Sequence, residues 1–512
     1  MATQWQTFPI EFRGGLISNL SPLQHGANAV GSATILQNFE PSKEGGYSKL
    51  RGYEKYDSDV VPGTGPVVGV KVINNDEVLA VRSDTTSSVV YHSSGTGWAS
   101  KHTMAYNGGK VRFTDLNFGV GHKVLMVDGV NYPAVFDDAT NTITSITGNT
   151  DVEGAQYVAV FKTTVFYAKG TNLYFTAPST YDDFSAANGG GVINVAHQIT
   201  GLAVFRDQLI VFCRNSIKRI TGSTTADFVM APITDTIGCI SGDTIQEVGG
   251  DIMYASPDGL RLLSATDRIG DFGLDISSDP IAKDADLFLK STSDFCSVVL
   301  REKAQYRVFA YLSAEQRPAA KGLLATKIVA QGGSGFEWAT LKGIKAYVAD
   351  SKYTESFDET VIFANEDGYV YQLESGSSFD GSIIEAIFES PYMPITDPQI
   401  RKTFYKMTLY AEPLGNMYID FNLKFDFGAN ASIGHIQPNT INLSSTGNSV
   451  FIFGNTESTY GISTFGGELD KVYSENVIGS GKTVALRIED NSSNPSFTLD
   501  TILLEFRQND RQ

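Results

Sequence analysis

The sequence predicts an all-β protein: a six- or seven-bladed β-propeller with an extended N-terminal arm and a C-terminal β-sandwich. Three observations carry that expectation. Glycine supplies 50 of the 512 residues, above the usual share of about 7%, and it separates short runs rich in Val, Ile, Phe, Tyr and Thr. Tight polar turns recur through the middle of the chain at a near-constant spacing. Near the C-terminal end, one segment alternates apolar and polar side chains for ten residues.

Residues 1–62 carry Gly14-Gly15, Pro22, Gly45-Gly46 and Gly52, which break regular structure, so this stretch reads as an arm packed on a neighbour or on the propeller rim. Apolar spacing suited to helix is confined to two short places, Pro22 to Asn38 and Pro280 to Lys290. From 63 to 390, strand pairs flank tight turns. Val78 to Arg82 precedes Ser87 to His92, and Val124 to Val127 turns at Asp128-Gly129. Val165 to Ala168 turns at Lys169-Gly170, Leu209 to Cys213 at Arg214-Asn215, Ile252 to Ser256 at Asp258-Gly259 and Val361 to Ala364 at Asp367-Gly368. Gly, Asn and Asp suit such turns because two-residue hairpin loops need positive φ. Turn positions 84, 128, 169, 214 and 258 are separated by 44, 41, 45 and 44 residues, and Glu302-Lys303 lies 44 further on. Several strands in a period near 44 are the mark of propeller blades. The step from 302 to 367 is 65 residues, which places an insertion or irregular blade at Ala314 to Gly335. The Gly-His and Trp-Asp landmarks of WD40 blades do not recur through the repeats.

Beyond 390 the pattern changes. Tyr418 to Phe427 places Ile419, Phe421, Leu423, Phe425 and Phe427 on one face and polar residues on the other. With Phe404 to Glu412, Val450 to Phe453, Thr483 to Glu489 and Phe497 to Arg507, it forms the expected sandwich of residues 391–512.

A net charge of −18 has the wrong sign for wrapping a phosphate backbone, which needs Lys and Arg to displace counterions. Cys213, Cys239 and Cys296 are too few and too scattered for a disulfide framework or a zinc site. They are expected as small buried apolar residues in a chain folded in a reducing cytoplasm. Met1 to Gly15 lacks the pattern of an export leader, and nowhere do 18 apolar residues run together, so no membrane span is expected. The six histidines show no metal-ligand spacing. Gly479-Ser480-Gly481-Lys482-Thr483 superficially resembles a phosphate loop, but position 476 is Asn476 and a strand follows, so it reads as a turn. Asp137-Asp138, Asp182-Asp183 and Asp284-Ala285-Asp286 could supply a glycosidase carboxylate pair only if folding brought two of them together. Ser256-Pro257-Asp258-Gly259 reads as a hairpin turn. No catalytic, cofactor-binding or metal-binding residue is assigned, and the chain is not expected to be an enzyme.

Three stretches resemble one family. The first is Phe12-Arg13-Gly14-Gly15-Leu16, then Pro22, Ala29, Asn38-Phe39-Glu40-Pro41, Gly45-Gly46 and Leu50-Arg51-Gly52-Tyr53. The second runs Ile199 to Phe212, Ser216 to Gly222, Ile237-Gly238-Cys239 and Asp251 to Leu260. The third is Phe388-Glu389-Ser390-Pro391 with Arg401-Lys402, Phe404 and Leu504-Glu505-Phe506-Arg507, although Asn509-Asp510-Arg511 replaces the usual Gly-Arg-Arg tail. Together they resemble the β-propeller tail nozzle or tail-tube virion proteins of tailed bacteriophages, also called tail hub or packaged-DNA stabilisation proteins.

The resemblance implies a homo-oligomeric ring, commonly hexameric, below the portal and adaptor in the virion tail. It also implies assembly in the host cytoplasm, contacts to other tail proteins and tail fibres, and viral DNA passing along the lumen without sequence-specific binding. An acidic chain suits a conduit that must not trap DNA. Two extended segments with basic residues are the expected interfaces: Phe12, Arg13 and Leu16, and Arg401, Lys402 and Phe404. The competing expectations are a baseplate or fibre-attachment protein of a contractile tail, a polysaccharide-active propeller, and a receptor binder using Tyr392, Tyr410 or Tyr460.

Overall fold

The short apolar runs become strands in antiparallel sheets. The chain is 52% strand and 7% helix, which bears out the all-β class. A computed structural model describes residues 5–43, 45–73, 76–106, 108–119, 121–263, 276–330, 333–354, 357–415, 417–428, 441–444 and 471–509. The expected strand Val450 to Phe453, together with Tyr460, His435, Asp510 and Arg511, lies outside the described residues.

Six small sheets and one four-strand part of a larger sheet follow one another along the chain, spanning residues 67–105, 112–145, 157–194, 199–234, 246–262, 295–342 and 348–373; the sixth of these, 295–342, is the part of the larger sheet and is counted with the small ones below. Each consecutive pair shares buried side chains. Val68 and Leu79 meet Val124 and Met126 between the first two sheets, and Leu125 and Val127 meet Val165 and Tyr167 between the second and third. Phe166 and Leu173 meet Leu209 and Val211, while Ile210 and Phe212 meet Ile252 and Tyr254. Met253 and Ala255 share a cluster with Val298 and Tyr306, as do Val308 and Leu324 with Phe363 and Tyr371. Residues of the seventh sheet, Val348, Ile362 and Ala364, are buried with Val67, Val70 and Val78 of the first.

Six of the expected turns, at 84, 128, 169, 214, 258 and 367, join the second and third strands of their sheets. Glu302-Lys303 does not; it joins the first strand of the sixth sheet, Phe295–Leu300, to the second, Gln305–Ala310. The extra length therefore lies before the sixth sheet, where the helix Ala282–Leu289 precedes Phe295. The region expected as an insertion instead holds the 3-10 turn Arg317–Ala319 and the start of a long hairpin, Lys321–Ala330 with Gly333–Lys342. The other expected helix is also shorter than its pattern suggested: Pro22–Asn28 begins on a proline and ends before the strands Ile35–Gln37 and Phe39–Pro41.

The N-terminal segment is woven into the chain's own sheets. Gln6–Glu11 pairs with Phe497–Gln508, and the hairpin of Phe39–Pro41 with Tyr47–Lys49 joins the same sheet beside Thr498 and Leu499. Ile35–Gln37 lies between Gly333–Lys342 and Ile384–Glu389. Tyr53–Lys55 is the fourth strand of the seventh small sheet, against Val370–Leu373. Tyr53 is fully buried there, stacked 5.0 Å from Phe379 and edge-on to Phe363 and Tyr371.

Two larger sheets complete the described structure. One contains Gln6–Glu11, Phe39–Pro41, Tyr47–Lys49, Phe497–Gln508, Lys402–Pro413 and Val472–Gly481. The other continues from the sixth small sheet through Ile35–Gln37, Ile384–Glu389, Val484–Ser492, Tyr418–Phe425 and Ile441–Ser444. Ile384–Glu389, placed before the expected boundary at 390, thus pairs with residues beyond it. Ile419, Phe421, Leu423 and Phe425 are buried as their alternation predicts, in one cluster with Met407, Leu409, Ile502 and Leu504 of the other sheet. Phe427 departs from that face: the strand ends at Phe425, and Phe427, with φ +61°, is 44% exposed against Tyr392.

Gly15 marks where the N-terminal segment crosses the long hairpin. Its φ is +64°, and a Cβ there would sit 2.8 Å from the Trp338 amide nitrogen. Gly15→Ala is expected to cost about 1–3 kcal/mol, read from the urea midpoint, because a left-handed conformation and a backbone clash coincide.

Candidate functional site

Several of the small sheets bring charged side chains together from their first strands. They enclose a cavity of about 180 Å³. Lys71 comes from Val67–Val72, Arg112 from Arg112–Leu116 with Lys110 just ahead of it, and Asp243 from the 3-10 turn Gly242–Thr244. Cys296 and Ser297 come from Phe295–Leu300, and Asp350 from Val348–Tyr353.

One group of charges centres on Asp243. Arg112 donates from Nε and Nη2 to its two carboxylate oxygens at 2.7 and 2.9 Å, the bidentate geometry that suits guanidinium best. Lys110 Nζ lies 3.4 Å from Asp243 Oδ2 and also donates to the Phe295 carbonyl. Aromatic faces complete the setting, with Arg112 4.6 Å from the Tyr157 ring centroid and Lys110 4.8 Å from that of Tyr347. Ser297 Oγ donates to the Asp243 carbonyl at 2.7 Å. Burial alone would raise the Asp243 carboxyl, but the Arg112 and Lys110 charges outweigh it and hold the group well below the usual carboxylate range.

A second group centres on Asp115. Lys71 Nζ is 2.8 Å from Asp115 and 3.4 Å from Asp350, and Lys352 Nζ is 3.2 Å from Asp115. His122 bridges two carboxylates, with Nε2 2.8 Å from Asp115 and Nδ1 3.2 Å from Asp138. Burial again opposes ionisation of Asp115, while the His122 hydrogen bond and the Lys71 and Lys352 charges keep its carboxyl low. Burial would depress Lys71, but Asp350 and Asp115 reverse that and raise its ammonium above the ordinary lysine value.

Carboxylates held this way do not donate protons at neutral pH and are weak bases. Burial pushes the Cys296 thiol up to about 12, so it stays protonated and unreactive. What the arrangement does is electrostatic: it clamps strands of several sheets around one point. All three cysteines are buried, as expected of small apolar residues.

Four of the carboxylates singled out in the sequence are held by partners of their own. Asp137 pairs with Lys123, and Asp138 with His122. Asp183 accepts from the Ser185 amide and from Asn188 within its own turn, and Asp286 pairs with Lys290. Gly479 to Gly481 end the strand Val472–Gly481, and Lys482 and Thr483 turn the chain into Val484–Ser492 of the other larger sheet; the Lys482 and Thr483 amides donate to Asp426 Oδ1 at 2.8 and 3.0 Å, so a carboxylate takes the donors a phosphate would need. Ser256 to Gly259 is the expected hairpin turn, with Arg261 paired to Asp258.

Of the six expected interface residues, Phe12, Leu16, Lys402 and Phe404 are buried inside the chain. Lys402, expected as an exposed cation, is 1% exposed and donates to the carbonyls of Pro394, Asp397 and Lys482. Burial pulls its ammonium down to about 8. Arg13 is exposed beside Glu11, and Arg401 is half-buried. Tyr410 is 38% exposed. Sequence reasoning missed Lys71, Arg112, Asp115 and Asp243. Their only signal is a charge set among strand-forming apolar residues, as in Val67-Val68-Gly69-Val70-Lys71-Val72.

No family model matches the chain, and no curated protein matches it. Among solved structures it is similar to Raptor from Chaetomium thermophilum, at 10% identity and a TM-score of 0.36, over 64% of this chain and 29% of that one. It is also similar to the extracellular domain of the one-component system BT4673 from B. thetaiotaomicron, at 10% identity and a TM-score of 0.39, over 79% of this chain and 48% of that one. The chain spans less than half the length of either. Likeness at this level assigns no function.

Proposed function

We propose that the chain is a structural virion protein of a tailed bacteriophage, part of the tail nozzle or hub ring below the portal and adaptor, acting by shape and assembly without a reaction. In this reading the seven small sheets are the blades of a β-propeller whose seventh blade is completed by Tyr53–Lys55, and the two larger sheets are a β-sandwich. The supporting observation is where the three family-like stretches fall. The first carries Phe12, Phe39 and Tyr53, buried where the N-terminal segment joins both larger sheets and the seventh small one. The second covers the first three strands of the fourth small sheet and strands of the fifth. The third includes Phe388, Phe404 and Phe506, in central strands of the larger sheets. The first and third stretches thus bind the parts of the chain to one another. The net charge of −18 suits a wall past which DNA slides.

Single-particle electron microscopy and sedimentation of the purified chain, alone and with portal–adaptor rings, test the proposal. Rings with an axial opening that bind those partners are the expected result. A chain that stays monomeric at high concentration and ignores portal–adaptor rings overturns it.

A further inference from the structure

Each ring nitrogen of His122 faces a different carboxylate. Nε2 lies 2.8 Å from Asp115 Oδ1, and Nδ1 lies 3.2 Å from Asp138 Oδ2. An ionised carboxylate only accepts hydrogen bonds, and a neutral imidazole carries one N–H and one lone pair. Either neutral tautomer therefore points a lone pair at an anionic oxygen, at 2.8 Å in one case and 3.2 Å in the other. The imidazolium has two N–H groups and satisfies both carboxylates at once.

Asp115 comes from Arg112–Leu116, the first strand of the second small sheet, and Asp138 follows Ala134–Asp137, its third. His122 leads into Lys123–Val127, the second strand, so the ring ties one end of three strands together. Lys352, from the first strand of the seventh small sheet, has Nζ 3.2 Å from Asp115 Oδ1 and 3.5 Å from His122 Nε2. Lys71 holds the other Asp115 oxygen and reaches Asp350, and Lys123 with Asp137 is the adjoining ion pair. A tautomer that accepts from Lys352 at Nε2 and donates from Nδ1 to Asp138 leaves the 2.8 Å contact with Asp115 without a proton. The side chains of His122 and Asp138 are 16% and 24% exposed, so water makes up only part of a lost hydrogen bond.

We infer that protonated His122 is a pH-operated clasp, joining the first and third strands of the second small sheet and, through Asp115, the seventh sheet, and that loss of its second ring proton frees Asp138 and the end of the third strand. Imidazole is the side chain whose ordinary proton loss falls between pH 5 and 8. With Nε2–H kept toward Asp115, the bare Nδ1 repels Asp138. The stabilisation supplied by the clasp is present while the ring is charged and is lost as pH rises.

The full chain labelled with ¹⁵N-histidine tests this, the His122 signals being assigned by their loss in His122→Gln. Two-bond nitrogen–proton spectra should show both ring nitrogens protonated at pH 6 and the Nε2–H tautomer at pH 9. Hydrogen exchange of peptides spanning Ala134–Asp137, with labelling times scaled to the intrinsic rate at each pH, should be about fivefold faster at pH 9 than at pH 6. Asp138→Asn should abolish that response and keep the slow rate, because an amide donates to Nδ1 of a neutral ring and accepts from a charged one. His122→Gln should abolish the response as well. A neutral ring at pH 6, exchange that does not change between pH 6 and pH 9, or a response that persists in both variants overturns the inference.

Discussion

Replacing Lys49 by Met is expected to cost about 3–5 kcal/mol, the usual penalty for removing one partner of a fully buried ion pair. Lys49 and Asp490 lie 3.0 Å apart with neither side chain exposed. Lys49 Nζ also donates to the carbonyls of Ser492 and Asn494 at 3.1 Å, so three acceptors lose their donor at once. Burial already pushes the Asp490 carboxyl above the usual carboxylate range despite Lys49. Without the lysine that carboxyl rises further, so the variant's deficit is greatest at alkaline pH and shrinks as acid neutralises Asp490. Urea melts of both proteins at several pH values measure this. The double variant Lys49→Met with Asp490→Leu should recover most of the loss, since an apolar pair of similar volume often replaces a buried ion pair without penalty. A deficit independent of pH and not relieved by the second substitution would assign Lys49 to packing rather than charge.

Asp243→Ala is expected to be comparably destabilising, about 3–5 kcal/mol, because it strands Arg112 and Lys110 against the cavity. Here too the deficit shrinks on acidification, but because the native protein loses stability rather than because the variant regains it. The Asp243 carboxyl is depressed in the folded chain, so its contribution is present above the unfolded value of about 4 and is lost as pH falls toward the folded value. The native protein should therefore lose stability on acidification below about pH 4 more steeply than the variant. Asp115, depressed in the same sense, adds to this slope in both proteins. Thermal melts from pH 7 to pH 3 read the difference, and parallel curves would remove Asp243 from the clamp.

What could be read in advance depended on how local its cause was. Asp128-Gly129 and Asp367-Gly368 turn the chain because of their own backbone preferences, and both glycines hold positive φ as anticipated. Ile419, Phe421, Leu423 and Phe425 bury one face because a strand has a period of two, whatever lies opposite. The N-terminal strands failed this test. Phe39–Pro41 and Tyr53–Lys55 are three residues long, too short to show a period, and the partner of Tyr53–Lys55 lies hundreds of residues away. Glu302-Lys303 was recognised as a turn but assigned to the wrong pair of strands, because spacing alone does not show a helix inserted upstream. Lys71 and Arg112 were passed over for a related reason. A single cation in a strand becomes a site only when other sheets bring Asp350 and Asp243 to it. Lys402 reads as a surface cation because most lysines are, whereas its burial is made tolerable by three carbonyls that no pattern reveals.

The pairing of Gln6 with Phe506 and of Glu11 with Thr501 also constrains how the chain is made. Those contacts join residues about 500 apart, and contacts so distant in sequence slow folding because loop closure must come first. During synthesis the strands Gln6–Glu11 and Tyr47–Lys49 emerge long before Phe497–Gln508, with which both pair, and Tyr53–Lys55 emerges long before Val370–Leu373. The early small sheets can form in order meanwhile, each covering the one before, while unpaired N-terminal edges stay open to neighbouring nascent chains. Final yield should therefore hinge on a late docking event, one that chaperones and low expression temperature would favour.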